Sequence, residues 1–297
     1  HSPEPELLNA PSMIGISWEK FIYLAAVLTV GLAVLMITYH DITQKISILF
    51  GLGTIVYIIK TSWQEEKNPR EMLWAALSMI LYALLFWAFY EQSGGSLNLM
   101  AERNVDMTIF GYKLSSAMVN NSINPFYIIL LSPLFAIMWQ KLDDMNLKPS
   151  DPVKFGLAFV LLAIGYYIFV LGGRVGATTG LMPLLYFAAG YFFITVGELF
   201  LSPVGLSMIT KLSPAKIVGF MMGAWFLAAA FGHELAGYIG SLMAIPEKNA
   251  DGSAFTVVQS LPIYMEGCQQ IATVSLAFGV GVLLFSIVVK KWMHGVK

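Results

Sequence analysis

Glu198 stands in the stretch Ile194-Thr-Val-Gly-Glu-Leu-Phe-Leu-Ser-Pro-Val-Gly-Leu-Ser, an acid inside an otherwise apolar run. A charge at the centre of a membrane span costs about 2.5–3.5 kcal/mol on insertion scales, so it persists where it faces a partner or a polar cavity. Ser202 follows one helical turn later, Pro203 removes a backbone donor beside it, and Gly197 and Gly205 allow close approach. Such a carboxylate suits a cavity wall, as a charged site facing a polar cavity. It could also pair with a buried Lys or Arg and only fix helix packing.

Other polar groups sit near the ends or middles of similar runs. Glu91 closes Leu84-Leu-Phe-Trp-Ala-Phe-Tyr-Glu-Gln-Ser-Gly-Gly, either as an ordinary interfacial acid after an aromatic belt or as a gate. As a gate it would act with Gln92, ahead of Ser93-Gly94-Gly95, and pair with a cation across a closing cavity. Asn120, Asn121 and Asn124 lie in one apolar helix and need partners or water, with Asn124 before Pro125 the favoured site residue. Further on, Met221-Met-Gly-Ala-Trp-Phe-Leu-Ala-Ala-Ala-Phe-Gly-His-Glu-Leu-Ala-Gly holds Trp225, His233 and Glu234. Packing is the commoner fate of a helical tryptophan such as Trp225, and His233 with Glu234 could be a local polar pair. A zinc-protease motif would need a second His one turn on, where Gly237 stands, so no metal site is assigned.

The elements that carry these groups are membrane spans. Hydrophobic residues make up 57% of the 297, charged residues 12%, and the mean hydropathy is +0.71. Soluble domains carry about 25% charged residues. A net charge of −1 gives no footprint for nucleic acid, and the single Cys268 permits neither an intrachain disulfide nor a cysteine-rich metal site. The opening His1-Ser-Pro-Glu-Pro has no secretory pattern and does not begin with Met, so the chain is read as a fragment.

A bilayer core about 30 Å thick takes about 20 apolar helical residues to cross. Eight such stretches lie near 19–39, 44–61, 72–92, 117–140, 154–173, 181–209, 214–245 and 270–292. With the amino terminus inside, twelve Lys and Arg fall on the cytoplasmic side and five outside, namely Lys45, Arg103, Lys113, Arg174 and Lys248. Positive residues accumulate in short cytoplasmic loops, so both ends are expected in the cytoplasm of an inner (plasma) membrane protein. Two external connectors are long. Residues 93–116 carry alternating stretches, Ser96-Leu-Asn-Leu-Met-Ala-Glu and Asp106-Met-Thr-Ile-Phe-Gly-Tyr-Lys, expected to form a β-hairpin around Arg103-Asn104. Residues 246–270, with Asn249-Ala-Asp-Gly, are expected to be a loop.

Four landmarks in order resemble the proton-coupled oligopeptide transporters, a branch of the major facilitator superfamily. They are Phe86-Trp-Ala-Phe-Tyr-Glu-Gln-Ser-Gly, Asn124-Pro-Phe, Gly197-Glu-Leu-Phe-Leu-Ser-Pro-Val-Gly-Leu-Ser, and Gly223-Ala-Trp-Phe with Ala236-Gly. They look like the seventh, eighth, tenth and eleventh helices of that family. The resemblance implies an all-α fold: an inserted transmembrane hairpin within residues 1–71, then the C-terminal six-helix bundle over residues 72–297. It implies that Glu198 receives a peptide amino terminus or pairs with a lysine of the other bundle, with Ser202 below it. It implies that Asn124 contacts the peptide backbone, that Trp87, Tyr90 and Trp225 shape pockets and gates, and that Glu91 bridges to an arginine of the first bundle.

The implied function is proton-driven symport of di- and tripeptides by alternating access, with the N-terminal six-helix bundle as partner, protons as coupling ion and no cofactor. The family's E-x-x-E-R and F-Y-x-x-I-N-x-G signatures of the first bundle are absent; Trp18-Glu-Lys-Phe-Ile-Tyr echoes the first, but Ile16 replaces its leading acid. A membrane enzyme lacks a nucleophile-base or metal constellation. Transport of nitrate or another organic anion, or a non-transporting receptor or scaffold, are the alternatives.

Overall fold

The computed structural model describes residues 8–11, 15–246 and 252–296. The Pro203 side chain, the connector residues Asn249, Ala250 and Asp251, and the terminal His1-Ser-Pro-Glu-Pro, all read above, lie outside the described part. Eight helical stretches among the described residues are long and apolar enough to cross a membrane, so this is a multi-pass membrane protein.

The chain divides into two compact units, residues 1–57 and 58–297. The first holds α1 (Trp18–Thr38) and the start of α2 (His40–Gln64). No residue of α1 is buried, and Ile22, Val27, Leu28 and Ile37 are all exposed. An apolar helix that buries none of its residues in protein is at home in lipid.

The second unit contains α3 (Lys67–Tyr90), a 3₁₀ turn over Glu91–Gly94, and α4 (Ser96–Asn104). It continues with α5 (Ser116–Asp144), α6 (Asp151–Val175), α7 (Leu184–Leu212), α8 (Val218–Leu242) and α9 (Val257–Trp292). Its core is aromatic: Phe86, Phe155, Phe159, Tyr166, Phe169, Phe187 and Tyr191 are all buried, and their rings meet edge-on or tilted between α3, α6 and α7. Tyr166 Oη donates to the carbonyl of Phe89 at 2.8 Å, which ties α6 to the end of α3.

The connector after α3 corrects the expected hairpin. Ser96–Asn104 is a helix, because Leu97, Met100, Ala101 and Asn104 recur at helical spacing and bury one face. Asn104 is not a turn residue: its side chain donates to the carbonyls of Gly180 (2.8 Å) and Val257 (2.7 Å) and accepts from Ser260 (2.9 Å). Three short strands follow in this connector, β1 (Val105–Asp106), β2 (Thr108–Ile109) and β3 (Tyr112–Lys113), and β4 (Met182–Pro183) precedes α7. The real hairpin is the small one of β2 and β3, whose two-residue turn holds Phe110 at φ 49° and Gly111 at φ 83°, the left-handed pair such turns require. β1 instead pairs in parallel with β4.

The last span also starts earlier than expected. α9 begins at Val257 rather than near 270, because Thr256 and Gln259 form a reciprocal capping box and Ser260, Leu261 and Tyr264 bury one face of the polar-looking segment.

Candidate functional site

Glu198 is set by α7, and its neighbours come from α3 and α5. Tyr90, the last residue of α3, donates its hydroxyl to Glu198 Oε2 at 2.6 Å. Asn124 Nδ2 on α5 donates to the same oxygen at 2.9 Å and to Thr195 Oγ1 at 3.0 Å. One turn further along the same two helices, Tyr191 Oη donates to Asn120 Oδ1 at 2.5 Å, and Asn120 Nδ2 donates to the Ser93 carbonyl at 2.9 Å. Asn120 and Asn124 are therefore rungs of one ladder between α5 and α7, faced by Tyr191, Thr195 and Glu198. Asn121 is exposed and takes no part in it.

Both bonds to Glu198 fall on Oε2, and both donors are neutral. Among the described residues no hydrogen bond reaches Oε1, and no Lys, Arg or His lies within 4.0 Å of the carboxylate. The packing alternative, a buried cation partner within this chain, is therefore not what the described residues hold. Hydrogen bonds to an ionised group contribute about 1.5–3 kcal/mol each, enough to hold the charged side chain in one orientation. The arrangement is an anionic acceptor with one oxygen anchored and one available to a cationic donor.

Of the predicted aromatics, Tyr90 touches Glu198 directly, and the others are placed by what they pack against. Trp87 is half-buried and meets the Tyr90 ring edge-on at 5.1 Å, while Phe86 stacks on Tyr90 at 5.8 Å. Trp225 is 8% exposed and lies against α7 where Gly205 leaves room; a Cβ on Gly205 would fall on the indole ring. Ser202 is exposed, one turn beyond Glu198.

Glu91 and Gln92 separate in role. Gln92 is 1% exposed and spent on α8, donating to the carbonyls of Ala236 (2.8 Å) and Ala88 (3.2 Å), so it is not part of an open gate. Glu91 is half-buried and lies 3.6 Å from His233 Nε2, with His233 Nδ1 2.9 Å from the Ala229 carbonyl. His233 thus reaches across to the 3₁₀ turn after α3 rather than pairing with Glu234. No cluster of three His, Cys, Asp or Glu suited to a metal occurs among the described residues.

Sequence reasoning passed over Thr195 and Tyr191, although both lie on the Glu198 helix at spacings of about one and two turns. Polar groups at that spacing in an apolar helix share a face.

A family model described as "POT family" matches residues 44–258. The chain belongs to the POT family. It is 30% identical to dipeptide and tripeptide permease B of Aliivibrio fischeri (strain MJ11) over 246 residues, 82% of this chain and 48% of that protein. It is 32% identical to dipeptide and tripeptide permease A of Chromobacterium violaceum over 273 residues, 91% of this chain and 52% of that one. Among solved POT-family structures it is similar to a mutant peptide transporter POT in complex with alafosfalin, with TM-score 0.71, 26% identity, and coverage of 94% of this chain and 54% of that one. It is also similar to tetrameric PepTSo2, with TM-score 0.75, 26% identity, and coverage of 92% and 54%. The POT chain described here spans about half the length of the curated relatives it matches.

Proposed function

We propose that this chain is the C-terminal half of a proton-coupled symporter of di- and tripeptides. The observation that carries the reading is the Glu198 carboxylate: anchored through Oε2 by two neutral donors, with no cation within 4.0 Å of it among the described residues. A zwitterionic peptide brings an ammonium group that fits such an acceptor and a carboxylate that needs a cationic site elsewhere. The N-terminal six-helix bundle is the partner that would supply that cationic site. The names of the relatives, dipeptide and tripeptide permeases, agree with this chemistry.

In this reading residues 1–71 hold an inserted helical hairpin and residues 72–297 form a major facilitator six-helix bundle, in the inner membrane with both ends cytoplasmic. Glu198 takes the peptide amino terminus and Asn124 its backbone, with Ser202 below. Trp87, Tyr90 and Trp225 shape the walls, and Glu91 serves the gate. The two bundles rock about the midplane site. Protonation of Glu198 or Glu91 weakens ion pairs across the bundles and lets the site reopen.

The test is uptake of labelled dialanine by proteoliposomes holding the full-length protein, under an imposed inward proton gradient. Uncoupler-sensitive accumulation is the expected result. No accumulation by folded protein moves the substrate to another small solute.

A further inference from the structure

Asn124 can present either end of its amide to a ligand, and its neighbours decide which. A carboxylate only accepts hydrogen bonds, so the 2.9 Å contact with Glu198 Oε2 requires the NH₂ end of Asn124 there. Thr195 Oγ1, 3.0 Å from the same Nδ2, takes the second amide hydrogen. Thr195 is wholly buried, so its hydroxyl is held in place between α5 and α7. Both donors of Asn124 are thereby consumed. Among the described residues no hydrogen bond reaches its Oδ1, and the side chain is only half-buried.

We propose that Thr195 is a positioning residue that locks the Asn124 amide with its oxygen available, so that the site reads a backbone N–H donor on the substrate. The inference rests on the peptide reading and deepens it: it predicts which bond of the ligand Asn124 inspects. A peptide whose amide nitrogen is methylated has no such donor. It leaves Oδ1 unsatisfied on binding, and selection against a ligand that lacks a needed donor is stronger than selection by size alone. Without Thr195 the amide keeps one anchor in place of two, and Oδ1 is presented less firmly.

The experiment is competition for labelled dialanine binding to the full-length protein in detergent by dialanine and by alanyl-N-methylalanine. Wild type, Thr195→Val and Thr195→Ser are compared, with Thr195→Ala as a second hydroxyl-free variant should the valine form fail to fold. Wild type is expected to favour dialanine by about tenfold or more, the size of one hydrogen bond left unmade. Thr195→Val or Thr195→Ala shrinks that ratio several-fold by weakening dialanine, and Thr195→Ser restores it. Because the methyl group's bulk is the same in every variant, a change in the ratio reports the hydrogen bond. Equal weakening of both ligands with the ratio intact, or no change at all, overturns the inference while the peptide reading stands. Absence of dialanine binding by wild type sinks the peptide reading and this inference with it.

Discussion

Tyr90 Oη lies 2.6 Å from Glu198 Oε2, joining the last residue of α3 to the acid in the middle of α7. Tyr90 is itself fixed by packing, with Phe86 and Trp87 against its ring and the preceding Phe89 carbonyl held by Tyr166. The carboxylate is therefore pre-oriented by a scaffold of three helices, and in the proposed reading this lowers the ordering cost of binding a peptide.

Tyr90→Phe removes the hydroxyl and keeps the ring. A charge-assisted hydrogen bond is worth about 1.5–3 kcal/mol, so KM for dialanine uptake is expected to rise about tenfold or more with little loss of protein. Saturation kinetics at fixed proton gradient check this, and an unchanged KM would show that Asn124 alone sets the carboxylate.

Asn104→Ala acts on stability. It abandons the Gly180 and Val257 carbonyls and the Ser260 hydroxyl at a fully buried site. At about 1–3 kcal/mol for a buried group left unsatisfied, the detergent-solubilised protein should unfold several degrees lower. A thermal melt with Asn104→Ala beside wild type gives the answer.

Gly205→Ala places a methyl where the Trp225 ring sits. Overpacking costs about 1–3 kcal/mol, and the indole is displaced from its position against α7. Adding a Trp225→Phe exchange should recover part of the loss, so the two substitutions are non-additive in a double-mutant cycle; strict additivity would place the ring elsewhere.

The proposed orientation is checked by labelling. Tyr112, in the β2–β3 hairpin, is 78% exposed, and Lys148 lies between α5 and α6 at the other end of the bundle. Tyr112→Cys should react with a membrane-impermeant maleimide in intact cells, and Lys148→Cys only after permeabilisation. The reverse pattern would invert the topology.

The spans and the acid at position 198 were legible because membrane insertion penalises charge so heavily that a lone carboxylate in an apolar run stands out. The connectors were not. Ser96-Leu-Asn-Leu-Met-Ala-Glu alternates in polarity and also places Leu97, Met100, Ala101 and Asn104 on one helical face, and only packing against α9 and the 180 region decides between the two periods. The start of α9 was obscured because Thr256, Gln259 and Ser260 look like loop residues and are in fact its cap and its buried face. Gln92 resembled a gate residue beside Glu91, but which of two adjacent polar side chains turns inward depends on where α8 lies. Thr195 was within reach, being polar and one turn from Glu198, but a threonine in a span satisfies itself locally so often that it draws no notice.

Glu198 is proposed to be the anionic acceptor that couples peptide to proton in the intact transporter, and Glu198→Gln in the full-length protein probes that role. Gradient-driven accumulation of labelled dialanine is measured in proteoliposomes containing equal amounts of folded wild type and variant. The amide keeps the shape and loses the charge, so accumulation above equilibrium is expected to vanish. Accumulation at the wild-type level by the Gln variant would rule that role out.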